Sequence, residues 1–97
     1  MRVPDRDDEL PDPQVLGLHT RVNGKTVQDS TTAEMLFGVR ELIAFCSRSF
    51  TMLPGDVLLT GTPWGCGGYM DPPQFLWPGD VVETEVDGIG TLRNPVV

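Results

Sequence analysis

Eleven glycines and nine prolines are spread through 97 residues, and that spacing confines the chain to short elements joined by tight turns. Proline fixes φ and lacks the backbone donor that a helix or ladder needs, while glycine opens conformations closed to other residues. A helix bundle is disfavoured, and a β-rich α+β architecture is expected instead. Pro4, Pro11 and Pro13 fall within the first fourteen residues, so 1–14 reads as an extended arm. Asp5, Asp7, Asp8, Glu9 and Asp12 make that arm acidic and solvated. They lack the D-x-D-x-D-G order and the distal Glu of a calcium loop.

The remaining residues, 15–97, form one unit. A chain of this size buries roughly 60–65% of its unfolded surface, which leaves a thin margin of stability without a partner. From Val15 the pattern alternates: Leu16, Leu18, Thr20 and Val22 share one strand face, with Val15, Gly17, His19 and Arg21 on the other. Asn23-Gly24 is a two-residue hairpin turn, because both residues tolerate positive φ, and Lys25–Asp29 is the return strand. Thr31 and Glu34 have capping-box spacing, and Met35, Leu36, Val39, Leu42, Ile43 and Cys46 make one apolar stripe. One amphipathic helix is expected over about 32–48.

The second half repeats itself. Leu53-Pro54-Gly55-Asp56-Val57 and Trp77-Pro78-Gly79-Asp80-Val81 each place Pro-Gly-Asp before a β-branched run. Proline presets the second turn position and glycine supplies positive φ at the third, so each predicts a turn feeding a strand, at 57–60 and 81–86. Asp87-Gly88 turns the chain again, and 89–92 returns. Between the two repeats, 61–73 is a Gly- and Pro-rich loop, long enough in so small a chain to suggest function.

The formal net charge of −7 sets the sign of the surface. Nucleic-acid phosphates and anionic lipids are repelled, so neither is an expected partner. No stretch approaches the ~20 apolar residues of a membrane-spanning helix, and a cytoplasmic location is the expectation. Cys46 and Cys66 allow at most one disulfide.

Thr60-Gly61-Thr62-Pro63 is the strongest candidate for chemistry. It closes the apolar run Val57-Leu58-Leu59 and opens the glycine-rich loop. Gly61 permits close approach of a ligand, and a threonine hydroxyl donates or accepts a hydrogen bond. Trp64, Tyr69, Phe75 and Trp77 flank the loop and read equally as pocket lining or packing anchors. Glu83-Thr84-Glu85 has the two-residue spacing of a metal pair on a strand, but Val82, Thr84 and Val86 take the other face. With no third ligand nearby, an acidic solvent face explains the pair. Cys46 lies on the helix stripe as a small core residue, and Cys66 lies in the loop with nothing to bring it to His19, the one histidine.

Several motifs occur in order: Val22-Asn23-Gly24 with Gln28, Met35-Leu36-Phe37, Leu53-Pro54-Gly55-Asp56-Val57, Thr60-Gly61-Thr62-Pro63, and Pro78-Gly79-Asp80-Val81-Val82-Glu83 with Gly88-Ile89-Gly90 and Asn94. This succession resembles the C-terminal half of the fumarylacetoacetate hydrolase family. The resemblance implies an α+β, β-rich fold with a mixed β-sheet of roll or sandwich type, and a homodimer or other homo-oligomer. It implies hydrolytic C–C cleavage, isomerisation or decarboxylation of diketo and acylpyruvate-type acids, of the kind used in the breakdown of aromatic compounds. It implies that Thr62, with Gly61 and Pro63 shaping the approach, binds a substrate oxygen. It also implies a divalent metal, commonly magnesium, in the complete enzyme. The family's E-x-E pair, later Asp and essential Lys precede the matching segment, so no metal ligand or catalytic residue is assigned in this chain. Beginning at Met1 and entering mid-family sequence at once, the chain is expected to be a truncated or split piece that pairs with an N-terminal half. The alternatives are an inactive remnant and a metal-free module that binds small organic acids.

Overall fold

The computed structural model describes residues 10–97. Asp5, Asp7, Asp8 and Glu9 of the acidic arm lie outside the described residues. Strands β1 (Gly17–Val22) and β2 (Lys25–Thr31) form the hairpin marked by Asn23-Gly24. Asn23 takes φ 51° and Gly24 φ 81°, the left-handed pair of a two-residue turn whose twist matches the strands. β3 (Val81–Val86) pairs with the other edge of β1, and β4 (Gly90–Pro95) pairs with β3, giving the order β2-β1-β3-β4. All three ladders are antiparallel, where the resemblance implies a mixed sheet. The α+β class with a single helix stands.

Strand alternation sorts the two faces. Thr20 sits opposite Gln28 and Thr84, and Val22 opposite Val82. On the other face Arg21 sits opposite Glu83, and His19 opposite Glu85. The acidic residues there are not simply solvated. Arg21 Nε lies 3.1 Å from Glu83 Oε2, its Nη2 lies 2.8 Å from Glu85 Oε2, and Arg93 Nε lies 3.3 Å from Glu83 Oε1. The paired carboxylates, Glu85 first and then Glu83, raise the Arg21 pKa above its ordinary value.

The two Pro-Gly-Asp segments are the same turn built twice. Gly55 and Gly79 take φ 96° and 98°. Asp56 and Asp80 each donate a backbone N–H to the residue three before and accept that residue's own N–H on the side chain, at 2.8 Å in both turns. Only the second turn feeds a strand. Val81–Val86 has β1 and β4 beside it, whereas 57–60 has no ladder partner among the described residues and stays exposed, Val57 by 84% and Leu59 by 91%. The strand expected there is corrected to an unpaired segment, since a strand needs a neighbour to satisfy its backbone groups.

The helix is shorter than expected. A 3₁₀ turn covers Thr32–Glu34, capped by Thr31 Oγ1, which accepts from Ala33 N–H. The chain then bends at 36–37, and α1 runs Val39–Ser47. The capping signal at Thr31 was real but opened only the 3₁₀ turn. The start of α1 is fixed by a residue distant in sequence: Gln14 Oε1 accepts the Val39 N–H at 2.8 Å, while its Nε2 donates to the Thr32 carbonyl. One side chain thus satisfies a helix N–H that has no partner within the helix and ties α1 to the end of β2.

No described hydrophobic side chain is fully buried. The radius of gyration is 15.4 Å, against about 13 Å for a compact domain of this length. The sheet, α1 and the 53–60 segment expose apolar surface that a closed domain would cover against a further layer.

Candidate functional site

The sheet face bearing Thr20, Val22 and Val82 forms one wall of a concavity of about 280 Å³. The glycine-rich loop, through Thr62, Cys66 and Met70, and Phe75 and Leu76 just after it form the other. Two local features hold the loop there. First, the β1–β2 register slips after Thr20, pairing Thr20 with Gln28 and Arg21 with Thr26, which leaves Val27 as a bulge. Bulges re-aim side chains next to a site, and here Val27 and Gln28 both face the concavity. Second, Gly65 is the one buried residue among those described, and it lies against the Val27 carbonyl with φ 113°. A Cβ at Gly65 would collide with that carbonyl oxygen.

Gln28 joins the walls. Its Oε1 accepts from Thr20 Oγ1 at 2.9 Å, and its Nε2 donates to Thr62 Oγ1 and to the Pro63 carbonyl, each at 3.0 Å. The structure therefore brings Thr62 and Pro63 to the concavity. Gly61, φ 102°, is exposed, and nothing lies within 4 Å of where its Cβ would be, so it leaves the approach open.

Among the flanking aromatics only Phe75 lines this concavity. Trp64 lines a neighbouring depression beside Thr26 and Asp29, and Tyr69 and Trp77 are exposed by 93% and 71%. None acts as a packing anchor. Cys66 reaches the concavity, but His19 is on the opposite sheet face, with Nδ1 3.0 Å from Asp29 Oδ1. Cys46 is half-buried on α1. Sequence reasoning gave no role to Gln28 or Gly65. The signal for both is tertiary, since a bulge and a loop crossing leave no local pattern.

The walls are chemically neutral. Polar groups come from Thr20, Gln28, Thr62 and Gln74, and among the described residues no Lys, Arg, His, Asp or Glu lines the space. An organic acid placed here would find hydrogen bonds but no countercharge, and desolvating a carboxylate without one is costly. The described residues do not fit a metal: no three His, Cys, Asp or Glu side chains gather to hold one, and Glu83 and Glu85 are engaged by Arg21 on the far face.

Comparison with known proteins supplies the context. The family model described as fumarylacetoacetate (FAA) hydrolase C-terminal matches residues 5–97. Over 90 residues the chain is 51% identical to the mitochondrial oxaloacetate tautomerase fahd2 of Xenopus laevis, covering 93% of this chain and 28% of that protein. Among solved structures, the fumarylacetoacetate hydrolase of Exiguobacterium antarcticum superposes with a TM-score of 0.84 at 44% identity, over 88% of this chain and 31% of that one. Maleylpyruvate hydrolase of Sphingobium sp. SYK-6, in complex with manganese(II) and pyruvate, gives a TM-score of 0.81 at 31% identity, over 93% and 31%. The chain thus spans less than a third of the length of each of these relatives.

Proposed function

The chain belongs to the fumarylacetoacetate hydrolase family, and from that premise we propose that it supplies the neutral, hydrogen-bonding wall of a metal-dependent site for diketo and acylpyruvate-type acids. The observation that carries this reading is the concavity itself: an oriented hydroxyl at Thr62 and apolar side chains, with no charged group among the described residues. Thr62 donates to a carboxylate or oxo oxygen, Gly61 leaves the approach open, and Met70, Phe75 and Leu76 cover the carbon skeleton. The countercharge comes from outside the described residues. A divalent cation, magnesium or manganese, fits that need and agrees with the manganese and pyruvate held by the maleylpyruvate hydrolase relative. When bound, such an ion polarises substrate oxygens as a Lewis acid.

The reaction in the complete protein is hydrolytic cleavage or tautomerisation, the chemistries named for the relatives above, or a related isomerisation or decarboxylation of 2-oxo acids. The apolar surface of α1 and 53–60 is where the rest of the protein, or a second copy, packs. A reconstitution tests this. The chain is co-expressed with the N-terminal part of a family relative, and loss of acylpyruvate or oxaloacetate absorbance is followed with and without magnesium or manganese. Turnover is expected from the pair and to cease with a chelator. Chelator-resistant turnover by the 97-residue chain alone would overturn the proposal.

A further inference from the structure

We propose that Gln28 is a positioning residue that fixes Thr62 as a hydrogen-bond donor toward the substrate. The inference rests on the reading above, that Thr62 faces a substrate oxygen, and extends it to a residue with no assigned role.

Each hydrogen bond around Gln28 has a fixed direction. Amide oxygen and nitrogen look alike, so the orientation of a glutamine must come from its partners. The Pro63 carbonyl settles it here, because a carbonyl oxygen only accepts, and the Gln28 atom 3.0 Å from it must be the NH₂ group. Oε1 then faces Thr20, whose hydroxyl has to donate to it. The second Nε2 proton points at Thr62 Oγ1, 3.0 Å away, so that oxygen accepts. With its oxygen engaged as acceptor, the Thr62 O–H proton is free to turn into the concavity. A ligand rich in carboxylate and oxo oxygens offers only acceptors, and a donor is what it requires.

Position reinforces polarity. Gln28 follows the Val27 bulge, and Gly65 presses on the Val27 carbonyl, so the same irregularity sets both the amide and the loop it holds. A glutamate in this place would reverse the arrangement: its carboxylate would accept a hydrogen bond from the Thr62 hydroxyl, repel the Pro63 carbonyl and set a negative charge beside an anionic ligand. Protonating that glutamate would restore a donor.

The test uses the magnesium-loaded pair formed with the N-terminal part of a family relative, this chain isotope-labelled for NMR, with pyruvate as the probe. Pyruvate is expected to shift the Thr62 amide resonance, and Thr62→Val and Gln28→Met are each expected to weaken binding by about tenfold or more. Thr20→Val, which removes the donor to Oε1 without touching Thr62, is expected to weaken it severalfold. Gln28→Glu is expected to lose binding at about pH 7 and recover it by about pH 5, beyond any change in the unsubstituted chain. A structural role alone would not produce that pH profile. Weakening in Thr62→Val with unsubstituted affinity in Gln28→Met and Thr20→Val would overturn the inference and leave the role of Thr62 intact. Equal behaviour of Thr62→Val and the unsubstituted chain, including no binding by either, would overturn that role and the inference with it. A Gln28→Glu variant with no pH response of its own would also overturn the inference.

Discussion

Asn23 and Asp80 clasp the two turns that frame the sheet: Asn23 Nδ2 donates to Asp80 Oδ1 at 2.8 Å, and Asn23 Oδ1 accepts the Val81 N–H at 2.9 Å. The hairpin turn of β1–β2 is thereby bound to the Pro-Gly-Asp turn that launches β3. The Trp77 N–H, followed by the Asn23 amide, lowers the Asp80 pKa below its ordinary value. A depressed carboxylate pKa contributes stability that is present above the unfolded-state value and lost as pH falls through the folded one. Acid unfolding should therefore include a step below about pH 4 that Asp80→Asn flattens. Thermal melts of both proteins across acidic pH would show it, and parallel melting profiles would contradict it.

Arg21 holds Glu83 and Glu85 on one face of the central strands, and Glu83 is shared with Arg93. Arg21→Leu should lower the melting temperature more than Glu85→Gln, because it leaves two neighbouring carboxylates with one remaining partner. Added salt should narrow the difference. A melting temperature unchanged in Arg21→Leu would show the cluster to be energetically idle.

Gly65→Ala is expected to be damaging, because it combines a backbone clash with a positive φ. The new Cβ meets the Val27 carbonyl at a φ of 113°, which side chains rarely adopt. A penalty of roughly 1–3 kcal/mol is expected, with loss of pyruvate binding because the loop must lift from the bulge. Gly61→Ala meets no atom within 4 Å, so its effect is confined to backbone strain. Denaturant unfolding of the two variants side by side measures the contrast, and equal losses would contradict it.

Residues 53–60 should control solubility. Val57 and Leu59 are almost fully exposed on a segment with no ladder partner among the described residues, the kind of edge that templates association. The isolated chain is expected to self-associate on gel filtration, and Leu59→Lys to shift it toward monomer. A monomeric unsubstituted chain with a cooperative melt would contradict this.

What was legible in the sequence was local. Asn23-Gly24 and both Pro-Gly-Asp turns read correctly because turn type depends on a few adjacent residues, and Val82 and Glu83 sorted to opposite faces because alternation is intrinsic to a strand. The misreadings share one cause, a distant partner. Thr31 opened only a 3₁₀ turn because the donor at Val39 is satisfied from Gln14. The run Val57-Leu58-Leu59 has strand composition, but a ladder requires a neighbour that the described residues do not provide. Thr62 could be singled out from its place beside the loop, whereas Gln28 acquires meaning only when a bulge turns it across to that loop.

The central claim is that Thr62 touches the substrate, and the most direct measurement is kcat/KM of Thr62→Val in the reconstituted, metal-loaded enzyme. Losing a donor to an anionic oxygen should lower it by about ten- to a hundredfold, with sheet content and metal affinity unchanged. A variant that turns over like the unsubstituted enzyme would contradict the account.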